Sequence, residues 1–420
     1  MQRRDQAQDA PWSLSALEVS AVSDLSAALV RRAARRLNGR LEVLGAEGGW
    51  SAGKGEPVIR VDVHDARAFK ALARRGSVGL AESYADGWWD TEDLTGLIRL
   101  LVSNLAGPLR GLDRVGRAVA GPLSAARRIA APSKGEDRQN VRAHYDLPPE
   151  LFTAMLDETM TYSSGVFVTP ESTLASAQLE KFERICTKLE LGPDDHLVEI
   201  GTGWGGFAIH AASTRGCRVT TTTVSAAQEH EARARVKAAG VDDRVEVLGA
   251  DYRDLTGTFD KLVSIEMIEA VDWRRHDAYF ATCDRLLKPE GLMLLQAIVI
   301  ADTSYERAKH HEDFIRKMIF PGGCLPSITA IARSLTRATA LRIFDLEDIG
   351  RHYAPTLRCW HENLDARWDE VARAGLDERF HRLWALYLCY CEAAFLERHI
   401  SDVQVLIAGP SYRPALGLRA

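Results

Sequence analysis

Apolar and polar residues follow two different rhythms along this chain, and the change between them divides it. From Leu25 to Leu41 the apolar positions recur at helical spacing, with Arg31, Arg32, Arg35 and Arg36 on the polar side. Residues 41–64 alternate as short strands broken by glycines, and Gly79–Asp90 leads into a helix expected from Asp93 to Asn104. These segments predict a small α+β domain over 21–105, after a polar, flexible N-terminus at 1–20. Pro108, Pro122 and Pro132 interrupt any long helix, so 106–138 reads as a connection. The second rhythm starts near 139. Leu174–Leu191 is amphipathic, with Phe182, Ile185 and Leu189 at core spacing. Strands expected from Leu197, at Cys217–Val224, Val245–Asp251, Phe259–Ile265 and Gly291–Ile298 alternate with helices, one starting at Phe207 and another over Glu229–Ala239. That alternation predicts an α/β fold, a doubly wound, Rossmann-like parallel sheet over 139–420, with its ligand beyond the carboxyl ends of the strands.

Composition narrows the class. The 420 residues suffice for two domains, and 46% hydrophobic with 26% charged residues describes a globular chain with a large core. No apolar run reaches the ~18 residues of a membrane-spanning helix. Met1-Gln-Arg-Arg-Asp-Gln6 carries no signal-peptide core, and seven scattered cysteines suit a reducing cytoplasm. No spacing suits a metal site, and a net charge of −5 gives no case for nucleic acid. Charge is uneven, however. Arg110 to Arg142 holds eight Arg or Lys against three acids, a local excess of +5, with Leu112, Val115, Val119, Leu123 and Ile129 interleaved. Such a stretch suits either an anionic bilayer or a linker packed on the protein.

The most informative stretch is Leu197-Val-Glu-Ile-Gly-Thr-Gly-Trp-Gly-Gly206: a buried strand, a glycine turn and a helix start aimed at a ligand. Gly201, Gly203 and Gly206 satisfy G-x-G-x-x-G, so a dinucleotide must be weighed against S-adenosylmethionine. A dinucleotide site wants an acid ~20 residues on, to hold the ribose. The strand Cys217–Val224 ends without one, whereas Glu199, two residues before the first glycine, resembles the acid that S-adenosylmethionine enzymes carry there facing the amino acid part of the cofactor.

Further motifs converge. His144-Tyr-Asp146, Met160–Gly165, Glu199–Gly205, Thr223–Gln228, Ser264-Ile-Glu-Met-Ile-Glu269, Asp313–Gly323 and His352–Trp360 together resemble the cyclopropane fatty acid and mycolic acid cyclopropane synthases, across 79–90 and essentially all of 140–410. The resemblance implies an S-adenosylmethionine-dependent methyltransferase sheet. It implies cofactor contacts from Tyr162 and Ser163; from Glu199, Gly201, Thr202, Gly203, Trp204 and Gly205 to the methionine part; from Thr223, Val224, Ser225 and Gln228 to the ribose; and from Asp251, Tyr252 and Arg253 around the adenine. Tyr252 also reads as an ordinary strand-end aromatic. The resemblance further implies a bicarbonate ion as general base, held by Ser164, Glu269, Gln296, Tyr353 and the backbone of Ile298, with Cys391 nearby. Cys391 reads equally well as a core thiol.

Three positions depart from that pattern. Ser164 stands for the usual Cys, Gln296 for a His beside the anion, and Ala270 for the His after Glu269. Gln can still donate to an anion but carries no charge. The departures leave the product open between a cyclopropane and a methylene-branched chain, and lean to the branch. The expected substrate is an unsaturated acyl chain of a membrane phospholipid, met by a peripheral enzyme on the inner face of a bacterial membrane. A homodimer, and a reductase acting on a methylene product, are the implied partners. A small-molecule methyltransferase and a non-catalytic lipid binder are the competing readings. Phe314, Ile315, Ile319 and Phe320 suggest a deeper, more apolar pocket than the first would need, and intact Gly201, Gly203, Glu269 and Tyr353 argue against the second.

Overall fold

The computed structural model describes residues 16–45, 48–105 and 147–414, so the basic connection 106–138 and the motif His144-Tyr-Asp146 lie outside the described residues. The chain forms two compact units, Met1–Gly121 and Pro122–Ala420.

The first unit opens with a helix, Ala16–Ala34, which starts inside the stretch expected to be a flexible terminus. It also ends earlier than the apolar spacing predicted. Leu41 belongs to β1 (Asn38–Gly45), where it and Val43 are buried on alternate positions. Helical and strand periods share apolar positions over such a short overlap, and strand pairing decides between them. β2 (Trp50–Val63) pairs with β1 in two stretches, placing both Ala52 and Ile59 opposite Leu41. β3 (Trp89–Asp90) pairs antiparallel with the end of β2. The four arginines of the first helix's C-terminal region, Arg31, Arg32, Arg35 and Arg36, are exposed.

The second unit is built on a seven-stranded sheet: β4 (His196–Ile200), β5 (Arg218–Thr222), β6 (Val245–Leu248), β7 (Phe259–Ile265), β8 (Leu287–Ile300), β9 (Arg342–Asp348) and β10 (Ile400–Ala408). Its spatial order is β6-β5-β4-β7-β8-β10-β9. The strands β4 to β8 are mutually parallel, while β10 runs antiparallel to both β8 and β9. The five strands expected from the sequence are the five parallel ones. The antiparallel pair was not foreseen: β9 is exposed along most of its length, Ile343, Phe344 and Leu346 included, while β10 is buried from Asp402 to Ala408.

Period-two alternation buries both faces. Leu197, Val263 and Leu294 pack with Phe182, Ile185 and Phe207 on one side, and Val198, Leu262 and Leu295 pack with Phe280 and Leu286 on the other. Strand order reverses at β4, which has β5 on one side and β7 on the other. Both carboxyl ends therefore open on one crevice, the usual ligand position in such sheets.

Candidate active site

The turn after β4 carries φ values of 101°, 51° and 87° at Gly201, Gly203 and Gly205, a left-handed run that other residues enter at a cost. It feeds the helix Gly206–Arg215 and opens onto a cavity of about 200 Å³. Of the expected cofactor residues, Tyr162, Ser163, Glu199, Gly201, Thr202, Gly203, Trp204, Thr223, Val224, Gln228, Asp251, Tyr252 and Arg253 line it. Gly205 and Ser225 do not. Gly205 caps the helix with its face toward Ala232, and the Ser225 hydroxyl accepts from Gln228 N–H at 3.3 Å to cap the helix Ala226–Ala238.

The threonine-rich strand now has a reason. Thr221 donates from Oγ1 to Glu199 at 2.6 Å and also meets Thr202 at 2.8 Å, while Thr223 donates to Gln228 at 2.8 Å. Burial drives the Glu199 carboxyl up to about 8, and the Thr221 bond offsets only part of that. A buried acid with so few donors is poised to ionise when a cationic ligand arrives. Asp251 is engaged by Arg253, which reaches both of its oxygens, at 2.8 and 2.6 Å. Tyr252 meets Tyr279 edge-on at 5.7 Å. A buried acid for the amino acid part, an amide for hydroxyls and an aromatic beside Asp251 fit S-adenosylmethionine.

A second constellation adjoins the cavity, and its centre was missed in the sequence. Glu266 directly follows β7 and lines the cavity. Its Oε1 accepts from Ser164 N–H at 2.9 Å and from Gln296 Nε2 at 2.8 Å, and its Oε2 accepts from the Tyr353 hydroxyl at 2.5 Å. Sheet register builds this cradle. Gln296 on β8 lies opposite Gln404 on β10, whose amide donates to Gln296 Oε1 at 3.1 Å and fixes which end faces Glu266. The other Gln296 proton goes to Asp402 at 2.9 Å. Burial, then the Glu266 charge, holds the Asp402 carboxyl well above its ordinary range. Lys181, fully buried and lowered by burial to about 8, donates to Ser163 Oγ at 2.7 Å behind the Tyr162–Ser164 loop.

The five groups expected to hold bicarbonate are thus engaged within the protein. Ser164, Gln296 and Tyr353 hold Glu266, and Ile298 N–H donates to Glu269 Oε1 at 2.5 Å. Glu269 is itself raised by burial to about 8, and its Oε2 is buried without a partner among the described residues. A cradle whose donors already surround one carboxylate does not fit a second anion. Burial pushes the Cys391 thiol far up, with Asp313 and Cys389 adding to the effect, which favours the packing reading over the chemical one. The signal that could have found Glu266 was an acid at the end of a core strand, within the quoted Ser264–Glu269 motif.

Aromatic rings enclose the cradle side. Tyr162 packs against Trp360 at 5.1 Å and Phe152 at 5.7 Å, and its hydroxyl meets that of Tyr387 at 2.8 Å. Phe320 meets Tyr387 at 5.8 Å, and Tyr353 stacks on Phe395 at 4.4 Å.

Sheet order, glycine turn and cavity together define an S-adenosylmethionine-dependent methyltransferase of Rossmann-like fold. The chain belongs to the mycolic acid cyclopropane synthetase family, whose model matches residues 132–405. It is 39% identical to the tuberculostearic acid methyltransferase UfaA1 of Mycobacterium tuberculosis over 385 residues, 90% of this chain and 89% of that enzyme. It is 38% identical to the cyclopropane-fatty-acyl-phospholipid synthase of Escherichia coli over 81% of this chain and 85% of that enzyme. The crystal structure of the mycolic acid cyclopropane synthase CmaA1 with SAH and CTAB superposes with a TM-score of 0.60 at 29% identity, covering 64% of this chain and 98% of that one. Coclaurine N-methyltransferase, at 19% identity and a TM-score of 0.61, shares the fold.

Proposed function

We propose that this enzyme methylates the double bond of an unsaturated acyl chain in a membrane phospholipid, giving a methylene-branched chain rather than a cyclopropane. The observation that carries the reading is the aromatic enclosure of Tyr162, Trp360, Phe320 and Tyr387 beside the cofactor cavity. S-adenosylmethionine supplies the methyl group as a cation equivalent, which leaves positive charge in the acyl chain. Glu199 would hold the amino acid part of that cofactor, Gln228 its ribose and the Asp251–Arg253 corner its adenine. Ring faces stabilise the developing cation, and the apolar wall keeps out the water that would trap it. Similarity to UfaA1 supports the branched product, and similarity to the Escherichia coli synthase supports the phospholipid. Incubating the purified chain with methyl-labelled S-adenosylmethionine and oleoyl phospholipid vesicles tests this. Label should enter the lipid, and proton spectra should show an exomethylene group without upfield ring protons. Unlabelled lipid would refute the reading, and ring protons would reverse the product.

Among the described residues no helix is long and apolar enough to cross a membrane. The contact proposed here is peripheral, on the inner face of a bacterial membrane, through the basic stretch. Charge reversal at Arg114, Arg117, Arg127 and Arg128 should lower sedimentation with anionic vesicles while leaving cofactor affinity alone. Unchanged sedimentation would exclude that stretch. The first unit is proposed to serve lipid contact or pairing in a homodimer, and a methylene product would call for a reductase partner.

A further inference from the structure

We propose that Glu266 is this enzyme's own general base, a carboxylate built into the chain where the family resemblance puts a bicarbonate ion. The inference rests on the acyl-chain reading above, and four observations support it.

Glu266 receives three hydrogen bonds, from a backbone N–H, an amide NH2 and a phenol, and the first two of these groups are donors only. Such a shell is complementary to an ionised carboxylate, which is an acceptor only. Second, two of the three donors, Gln296 and Tyr353, and the residue of the third, Ser164, are positions that the resemblance assigns to the anion. Third, Glu266 lines the cofactor cavity, so the carboxylate lies along the wall where a methyl group is delivered. Fourth, its backbone holds φ at 49°, a conformation in which glycine is relaxed and a long side chain is strained. A strained residue persists where its side chain is over-determined by its surroundings, and here three donors from separate segments do that.

The chemistry balances without a further reactant. Once the methyl group is attached, charge rests on the neighbouring chain carbon. A hydride shift moves it to the methyl-bearing carbon. A methyl C–H bond then breaks, its electron pair forms the C=C bond of the methylene branch, and the proton passes to a Glu266 oxygen. If no hydride shifts, the same C–H pair closes a C–C bond and the ring forms, with the proton on the same oxygen. Either way Glu266 later returns the proton to solvent. The base is thus common to both products.

The backbone strain also provides the test. Glu266→Gly relaxes φ, vacates the cradle and leaves its donors facing open space. Wild-type turnover should be unchanged in bicarbonate-depleted buffer. E266G should lose about 100-fold or more there and recover with added bicarbonate. E266Q, equal in size but unable to take the proton, should stay inactive with the anion present. Carbon-13 bicarbonate titrated by NMR should bind E266G and not the wild type, and SAH calorimetry should give equal affinities, showing that all three proteins are folded. A wild-type rate that needs bicarbonate, binding of the labelled ion by the wild type, or full anion-free turnover by E266G or E266Q would overturn the proposal. Should the wild type transfer no methyl group to lipid, the substrate reading fails by itself, and the NMR arm still decides for or against Glu266.

Discussion

Glu199 and Glu266 stand at the carboxyl ends of two adjacent strands, β4 and β7, and they are held in opposite ways. Glu199 has a single threonine hydroxyl at 2.6 Å and is left above its ordinary range by burial. Glu266 has three donors, and burial holds the neighbouring Asp402 well above its ordinary range. An acid with few donors is completed by a cation, so it suits a cationic methyl donor. An acid ringed by donors is oriented as an acceptor, so it suits proton abstraction. Two carboxylates of one crevice thereby take different roles from their surroundings alone.

The largest effect short of replacing Glu266 is expected on the donor side. Tyr353→Phe removes the 2.5 Å bond to Glu266 and keeps the ring stacked on Phe395. Loss of one such preorganised donor should lower kcat about 100-fold. SAH affinity by calorimetry should stay within about twofold, since the lost bond is not in the cofactor half of the site. A matching fall in SAH affinity would merge the two regions into one.

Glu199→Gln should do the reverse, weakening S-adenosylmethionine about tenfold or more by calorimetry, on the scale of one charged hydrogen bond. The same variant separates the acids by pH. With its folded value near 8 against 4.5 for the free group, Glu199 keeps a proton that the unfolded chain has lost. Cofactor-free stability should therefore fall as pH rises from about 4.5 through 8. E199Q should flatten part of that fall in thermal melts, and Glu269, shifted in the same direction, should account for a further part. An identical pH profile in the variant would mean that Glu199 is not the buried proton.

Cys391→Ala should do least. A protonated thiol that only packs leaves kcat within about twofold, and a larger loss would return it to the chemistry.

How much was legible follows from how far apart the partners lie. The turn at 199–206, its helix and the strand that supports it are local, so periodicity and glycine placement exposed them. Thirteen of the fifteen expected cofactor residues line the cavity. The two that do not, Gly205 and Ser225, serve the same motif as helix caps, a distinction that spacing does not encode. Strand β9 went unread because it is exposed along nearly its whole length and has no buried face, whereas β10 is buried over its last seven residues and its apolar positions Val403, Val405 and Ile407 were a signal left unused. The cradle went unread for a stronger reason: Ser164 is 102 residues from Glu266, and Tyr353 is 87 away.

The sequence by itself determined the alternating strands, the glycine turn and hence the methyl donor, because each is written in contiguous residues whose backbone and burial preferences are local. Only the tertiary structure decided which acid the anion cradle holds. That choice depends on β8 and β10 pairing with Gln296 opposite Gln404, and on a loop and a helix from distant segments delivering Ser164 and Tyr353 to one carboxylate. Hydrogen bonds between distant segments leave no periodic trace in the chain. Glu266 therefore looked like one more acid in a motif until the sheet was folded around it.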